Sequence, residues 1–520
     1  MAVYWLTEAL PLAATALLPA LLFPLFGIMK SSQVAGVYFK DFHLLLIGVI
    51  CLATSIEKWG LHRRIALRLV TLVGVNPGWL MLGFMNSCAF LSMWVQNTSA
   101  VAMVMPIVEA IIQQILNAEG EGEQRQRTMT GTSNLGLELE GENEPDEMEY
   151  SIPEEAPSQT NVSCTGTVGR YRSKREHMMC KGLCLSITYS SSIGGIATLP
   201  GTSPNLIFSE FYPECTSINF GNWIVLCLPI SIIALLLSWI WLHWMFIGSD
   251  GERSESETAT ARIIEEDYNT LGPMSPQEVV TAFIFILMVV LWVFRDPGFM
   301  PGWASIFLPE YAGYISDATV ALLLGLVFFI MPAHKPSADK HEAMISWKEF
   351  QACMPWEVAL LVGGGFALAE GTQVSGLSSW VANLLSPLGS LPIIATVTIA
   401  CVLVTSVTEL ASNAATITIF LPILAPLAEA IHVNPLYVLI PTTLCTSFAF
   451  LLPSSNPSNA IVFAYGHLTT TDMVKAGIGV NVISVLAVLL AVTTWGIPLF
   501  DLDTYPDWAP TPSTSNITGW

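Results

Sequence analysis

Two asparagines stand in apolar surroundings with similar neighbours at matching distances. Asn97 follows the hydroxyl of Ser92 by five residues and precedes Pro106 by nine; Asn413 follows Thr408 by five and precedes Pro422 by nine. The two sets lie 316 residues apart (413 − 97). Asn, Ser and Thr side chains compete for backbone hydrogen bonds, and Gly and Pro interrupt helices. In hydrocarbon a broken helix is tolerated only where it is buried in protein or lines a cavity. There, freed carbonyls and Asn or hydroxyl oxygens ligate a hard cation such as Na⁺, and half-helix N-termini attract an anion. Matching breaks in two halves of one chain point to a midplane binding site in a secondary transporter.

Each half also carries a later Pro/Asn turn: GTSPNLIF (Gly201–Phe208) and SSNPSNAIVF (Ser454–Phe463). One cation is expected near Ser92, Asn97 and Gly201, and a second near Thr408, Asn413 and Ser455. The competing reading is that these polar residues only cap or pack helices. Six acids fall within apolar segments: Glu57, Glu109, Glu357, Glu370, Glu409 and Glu429. Such residues are functional candidates by default. Glu409, one turn before Asn413, is either functional or a polar anchor. The three glycines of LLVGGGFALAEG (Leu360–Gly371) weaken a helix, and a re-entrant hairpin is expected there.

The elements that hold these residues follow from composition. Of 520 residues, 52% are hydrophobic and 12% charged, against roughly 25% charged in soluble domains. Windows such as Trp223–Ile247 reach the ~20 apolar residues that span a bilayer. About ten to twelve hydrophobic segments are expected by that length rule, some too short to span alone. The fold class is therefore an all-α polytopic membrane protein, with the lipid bilayer as its solvent. The net charge of −21 is concentrated: −10 lies between Glu119 and Glu155 and −5 between Asp250 and Asp267. It reads as solvated loops and says little about a substrate. Sliding the chain by 316 also aligns Gly48 with Gly364, Gly60-Leu61 with Gly376-Leu377 and Pro106-Ile107 with Pro422-Ile423, without a gap. The expected organisation is 1–116 as the first part of repeat 1, and 117–177 as an acidic, disordered cytoplasmic loop. Residues 178–247 complete repeat 1, 248–276 form an acidic loop, 277–508 form repeat 2, and 509–520 an extracellular polar tail. The basic clusters LHRRIALR (Leu61–Arg68) and RYRSKR (Arg170–Arg175) favour the cytoplasmic side. No P-loop, HExxH or nucleotide fingerprint occurs, and no zinc-type cysteine pairs. No enzymatic chemistry, nucleic-acid partner or cofactor beyond coupling sodium ions is expected.

QNTSAVAMVMPIVEAI, TELASNAATITIFLPIL, GTSPNLIF and NPSNAIVFAYGHL resemble the divalent-anion:sodium symporters, the sodium-coupled sulfate and carboxylate transporters of animals. RDPGFMPGW, DMVKAG and FDLDTYPDWA extend the likeness over nearly the whole chain outside the acidic loops. The resemblance implies a plasma-membrane homodimer, inverted repeats with re-entrant hairpins, a scaffold and a transport domain in each protomer, and elevator-type motion. It also implies a membrane segment ahead of Ala2. The family's Ser-Asn-Thr signature appears as Gln96-Asn97-Thr98 and Ser412-Asn413-Ala414, and its Pro-Pro turn as Asn456-Pro457-Ser458-Asn459. The sulfate branch is the nearer likeness: Ser203 matches it, while Pro204 matches the carboxylate branch.

The anion is expected at Gln96, Asn97, Thr98, Thr202, Ser203, Ser412, Asn413 and Asn456. Gln96 adds bulk and an amide donor, which favours a compact dianion such as sulfate over a longer dicarboxylate. A sodium/dicarboxylate symporter, an anion channel and a transport-impaired scaffold remain the competing readings. The orientation is open to a direct check. Of the sequons at Asn97, Asn161 and Asn516, only Asn516 is expected to carry glycan. Asn516→Gln should abolish the glycosidase-sensitive gel shift; a shift that survives it and disappears with Asn161→Gln reverses the orientation.

Overall fold

A computed structural model of the chain describes residue 4 and residues 9–73, 77–113, 174–212, 215, 217–248, 268–295, 302–306, 314–334, 342–377 and 392–509. Most of both acidic loops, and Asn161 and Asn516, lie outside the described residues. In the first half, α1 (Leu12–Ala16), α2 (Leu18–Leu25) and α3 (Ser31–Val37) lead into α4 (Asp41–Lys58) and α5 (Leu61–Val73). Then come α6 (Pro77–Ser92), α7 (Asn97–Gln113), α8 (Lys174–Gly195), α9 (Ser203–Ser209) and α10 (Phe220–Leu242). The second half contains α11 (Pro276–Val293), α12 (Asp317–Ile330), α13 (Trp347–Cys353), α14 (Trp356–Val374) and α15 (Ile393–Thr408). It ends with α16 (Asn413–Ala430), α17 (Pro435–Cys445), α18 (Pro457–Ala464), α19 (Thr470–Thr493) and α20 (Gly496–Phe500). The described residues form no strand, only an isolated bridge between Pro332 and Ala343.

The starts of many of these helices are written in the sequence. Ser275 with Glu278, Ser346 with Glu349, and Thr469 with Asp472 form capping boxes, each meeting two backbone donors that a helix start leaves open. Among the described residues, four helices are long and apolar enough to cross a membrane: Phe220–Ile247, Pro276–Val293, Asn413–Ala430 and Thr470–Thr493. Two further pairs qualify only together, α4 with α5, bent by 71°, and α13 with α14, bent by 60°.

The repeat is visible in the helix bounds. Adding 316 to α6 gives 393–408, the bounds of α15; adding it to α7 gives 413–429, within one residue of α16. Gly60 and Gly376, also 316 apart, both take positive φ (72° and 75°) directly after a helix, a conformation that favours Gly. His43 Nε2 lies 3.1 Å from the Ala359 carbonyl, and these positions too are 316 apart. Equivalent residues can touch only near the axis that relates the halves.

The glycine run does not form the expected hairpin. α14 continues unbroken through Gly363, Gly364 and Gly365, and the bend lies before it, at Met354-Pro355. The glycines are there for close approach. A Cβ on Gly364 would lie 2.4 Å from the Ala16 carbonyl oxygen, and one on Gly365 would lie 2.4 Å from a Thr418 methyl carbon. Gly48, the counterpart of Gly364, presses on α12 in the same way, with its virtual Cβ 2.2 Å from the Ala321 carbonyl carbon. The halves thus exchange helices: α4 of the first packs on α12 of the second, and α14 of the second on α1 of the first. The short tips cross too, α9 packing on α16 and α18 on α8. Ion pairs from Lys58 to Glu349 (2.9 Å) and from Arg64 to Glu278 (3.2 Å) tie the two sides of the α4–α5 bend to the second half.

Gly48→Ala and Gly364→Ala should each destabilise the purified protein by about 1–3 kcal/mol, because backbone must move to admit a methyl group. Gly36→Ala meets nothing within 4 Å and should hold or raise the melting temperature. Equal melting temperatures for all three would remove the close-packing account.

Candidate functional site

In the first half α6 ends at Ser92, the chain turns through Met93–Gln96, and α7 starts at Asn97. Ser92 donates its hydroxyl to Asn97 Oδ1 at 2.5 Å. The end of α8 closes over this turn. A Cβ on Gly195 would fall 2.3 Å from Asn97 Oδ1, and Thr198 donates to the Met93 carbonyl. Beside Gly201 the nearest atoms are all oxygens: the Gly195 carbonyl, the Ser92 carbonyl and Thr198 Oγ1, within 2.4–3.0 Å of a virtual Cβ. The structure therefore brings Ser92, Asn97 and Gly201 together, with Thr198 as an added oxygen that the sequence reading missed. Such an all-oxygen lining is suited to a hard cation.

The second half repeats the arrangement with different side chains. Thr408 donates to Asn413 Oδ1 (3.0 Å) and to the Thr446 carbonyl (2.7 Å). Ser455 reaches the carbonyls of Ala449 (3.3 Å) and Leu452 (2.8 Å). Glu409 anchors the facing turn by accepting from the backbone N–H groups of Phe450 (2.9 Å) and Leu451 (3.0 Å). Among the other acids, Glu109 meets His467 Nε2 at 2.6 Å, and Glu429 accepts from the Tyr212 hydroxyl at 2.8 Å.

Two asparagines overlooked in the sequence hold the breaks in shape. Asn205 Nδ2 donates to the carbonyls of Thr198 (2.8 Å) and, more weakly, Ile196 (3.4 Å) and Gly195 (3.5 Å). Asn459 Nδ2 donates to Leu452 and Ala449, both at 2.9 Å. Three of these positions correspond at an offset of 254 (449 − 195, 452 − 198, 459 − 205). The offset differs from 316 by 62, reflecting the extra chain between α7 and α8. That second offset, applied to GTSPN and SNPSN, was the signal available in the sequence. The two clamps differ at the amide oxygen. Thr188 donates to Asn459 Oδ1 at 2.5 Å, whereas Asn205 Oδ1 is buried and has no partner among the described residues.

The expected anion residues fall into two groups. Gln96, Thr202 and Ser203 line a crevice of about 20 Å³ against Leu46, Val49, Ile50 and Ala53 of α4, room for about one water. Ser412 and Asn456 line a cavity of about 660 Å³ with Ser454, Ser455 and Glu357. There Ser412 Oγ caps α16 by accepting from Ala415, and Asn456 Oδ1 caps α18 by accepting from Ser458. These caps use the oxygens as acceptors and leave the Ser412 O–H and the Asn456 N–H groups as donors. Asn456 Nδ2 lies only at the edge of bonding range of Ser192, at 3.5 Å. Thr98 is half-buried on the first turn of α7; Asn97 and Asn413 hold their oxygens against Ser92 and Thr408.

Residues 1–502 match the model of the sodium:sulfate symporter transmembrane region. The chain belongs to that symporter family. Solute carrier family 13 member 1 of Rattus norvegicus is 56% identical, over 98% of this chain and 91% of its own. Member 4 of the same carrier family from Homo sapiens is 46% identical, over 99% and 92%. The Na(+)/dicarboxylate cotransporter 3 of Mus musculus is 40% identical, over 98% and 89%. For a symporter of this family, Asn97→Ala and Asn413→Ala should each raise the half-saturating Na⁺ concentration roughly ten- to hundredfold, the worth of a buried polar ligand at about 1–3 kcal/mol. Surface protein should be unchanged, whereas Asn205→Ala and Asn459→Ala should lower surface protein itself. Normal Na⁺ dependence in both Asn97→Ala and Asn413→Ala returns those residues to helix packing.

Proposed function

We propose that the protein is a sodium-coupled secondary active importer of sulfate. It acts in the plasma membrane as a homodimer of inverted-repeat protomers, by an elevator-type exchange of access. The observation that carries this reading is the convergence of oxygens at two related helix breaks, each opposite the N-terminus of a half-helix. One sodium ion sits among Ser92, Asn97 and Gly201, the other among Thr408, Asn413 and Ser455. Each ion takes up carbonyls that the breaks leave without helical partners, so sodium completes the geometry of the turn before Asn97 or Asn413. When the crevice at Gln96, Thr202 and Ser203 opens onto the cavity at Ser412 and Asn456, the anion meets the positive ends of α7 and α16 and the donors of both groups and of Thr98. Sodium binding and anion binding share the same short segments, and that is the physical route of coupling.

The driving force requires such coupling. A dianion entering against −100 mV costs about 4.6 kcal/mol, twice about 2.3 per charge, and two accompanying Na⁺ cancel that charge. Sulfate is favoured over dicarboxylates on two grounds. Gln96 and Ser203 offer donors around a compact tetrahedral anion. The relatives whose names specify dicarboxylate or citrate are 40–41% identical, below the 54–56% of solute carrier family 13 member 1.

Cells expressing the protein should concentrate labelled sulfate in Na⁺ medium and lose that uptake when choline replaces Na⁺. Thiosulfate and selenate should compete, and succinate only poorly. Sulfate entry of equal size in choline would mark a channel, and no entry in either medium a transport-impaired scaffold. Succinate uptake exceeding sulfate uptake would reassign the substrate to dicarboxylates.

A further inference from the structure

Beside the second break lies a carboxylate that the repeat does not duplicate. Glu409 is buried, and besides the two N–H groups of the facing turn it accepts from Asn481 Nδ2 at 2.8 Å. No Lys, Arg or His forms an ion pair with it among the described residues. A buried charge without a counter-charge is expensive. The position 316 residues earlier is Met93, and the counterpart of Thr405 is Ala89. The second half has therefore added a charge and a hydroxyl that the first half lacks.

On the two helices that this carboxylate joins, three buried oxygens have no hydrogen-bond partner among the described residues: Thr405 Oγ1, Asn481 Oδ1 and Ser484 Oγ. Thr405 lies four residues before Glu409, on one face of α15; Asn481 and Ser484 lie three apart, on one face of α19. The bond from Asn481 to Glu409 joins the two faces where α15 packs on α19. Other hydroxyls of the same helices bond back to the preceding turn: Thr398 to Ile394 and Ser406 to Val402 at 2.7 Å, and Thr493 to Leu489 at 2.8 Å. Thr405 and Ser484 make no such bond although both are more than nine-tenths buried. Native structures seldom leave buried polar atoms so. One carboxylate with three open neutral oxygens is a donor set for a hard monovalent cation; the tight calcium sites of EF-hand loops draw on several carboxylates.

We propose that Glu409, Asn481, Ser484 and Thr405 form a third sodium site, separate from the two at the repeated breaks. The proposal rests on the sodium-coupled reading above. Two Na⁺ cancel the charge of a divalent anion, so an ion held here makes each cycle carry one net positive charge inward. Glu409 also fixes the Phe450–Leu451 turn, whose flanking carbonyls at Ala449 and Leu452 face Ser455. The third ion is thereby linked to the filling of the second site.

Equilibrium binding of radioactive sodium to the purified full-length chain in nanodiscs, without sulfate, tests the site directly. Thr405→Val and Ser484→Ala remove oxygens that hold no hydrogen bond. Each should lower the saturating count by one per protomer, or shift the filling of one ion to about tenfold higher Na⁺. Thr398→Val, which removes only a back-bond on the same helix, should match the unmodified protein. In voltage-clamped cells, the charge moved per sulfate taken up should fall from one towards none in Thr405→Val and Ser484→Ala. Unchanged sodium counts in these two variants and in Glu409→Gln overturn the proposal, as does potassium competing for the ion equally well. The binding count needs no transport. A protein that binds sodium normally and moves no sulfate therefore sinks the transport reading and leaves the count to decide the site.

Discussion

Inside a bilayer no water is available to satisfy a broken helix, so every carbonyl freed at a break must find a partner within the protein or in an ion. The architecture of this chain follows from meeting that demand twice. Asn205 and Asn459 each clamp a matching pair of carbonyls in the turn that precedes them, and Asn205 reaches a third, that of Ile196. What the clamps leave over, the carbonyls beside Gly201 and the oxygens around Asn97 and Asn413, is the surface proposed to bind sodium. Structural anchoring and ligand binding are thus divided among neighbouring atoms of the same turns.

Much of this was legible because intramembrane punctuation is sparse. An Asn, a hydroxyl and a Pro at fixed spacing located both first breaks, since few other sequence features interrupt an apolar helix. The Gly363–Gly365 run misled for a complementary reason. Helix propensity counts Gly as a breaker, but it carries no information about a neighbour pressing on that face, and here α1, α3 and α16 all approach it. Asn205 and Asn459 escaped notice because they lie inside short helices, where the side chain's target is a carbonyl several residues back. Only a fold shows that carbonyl to be free. The separation of the anion residues into a crevice and a cavity is likewise a property of tertiary packing.

The departures from symmetry are as informative as the repeat. A chain built from two related halves offers two related cation sites by default, and any further charge handling must come from positions where the halves differ. Glu409 in place of Met93, and Thr405 in place of Ala89, are such positions. They lie at the crossing of α15 with α19, next to the second break, where a charge can act on the turn without entering the anion cavity.

The exchanged packing of Gly48 on α12 and Gly364 on α1 bears on how the protein is made. The groove at Gly48 waits for Ala321, 273 residues further along the chain (321 − 48). At roughly 5–20 residues per second of synthesis, that interval is on the order of 15–55 s. Throughout it, the first half sits in the membrane with its closest helix contact unmade and a strip of backbone exposed along a glycine face. Biogenesis must therefore shelter a half-built intermediate, and a ribosome that stalls between the halves leaves a product that lacks its partner helix.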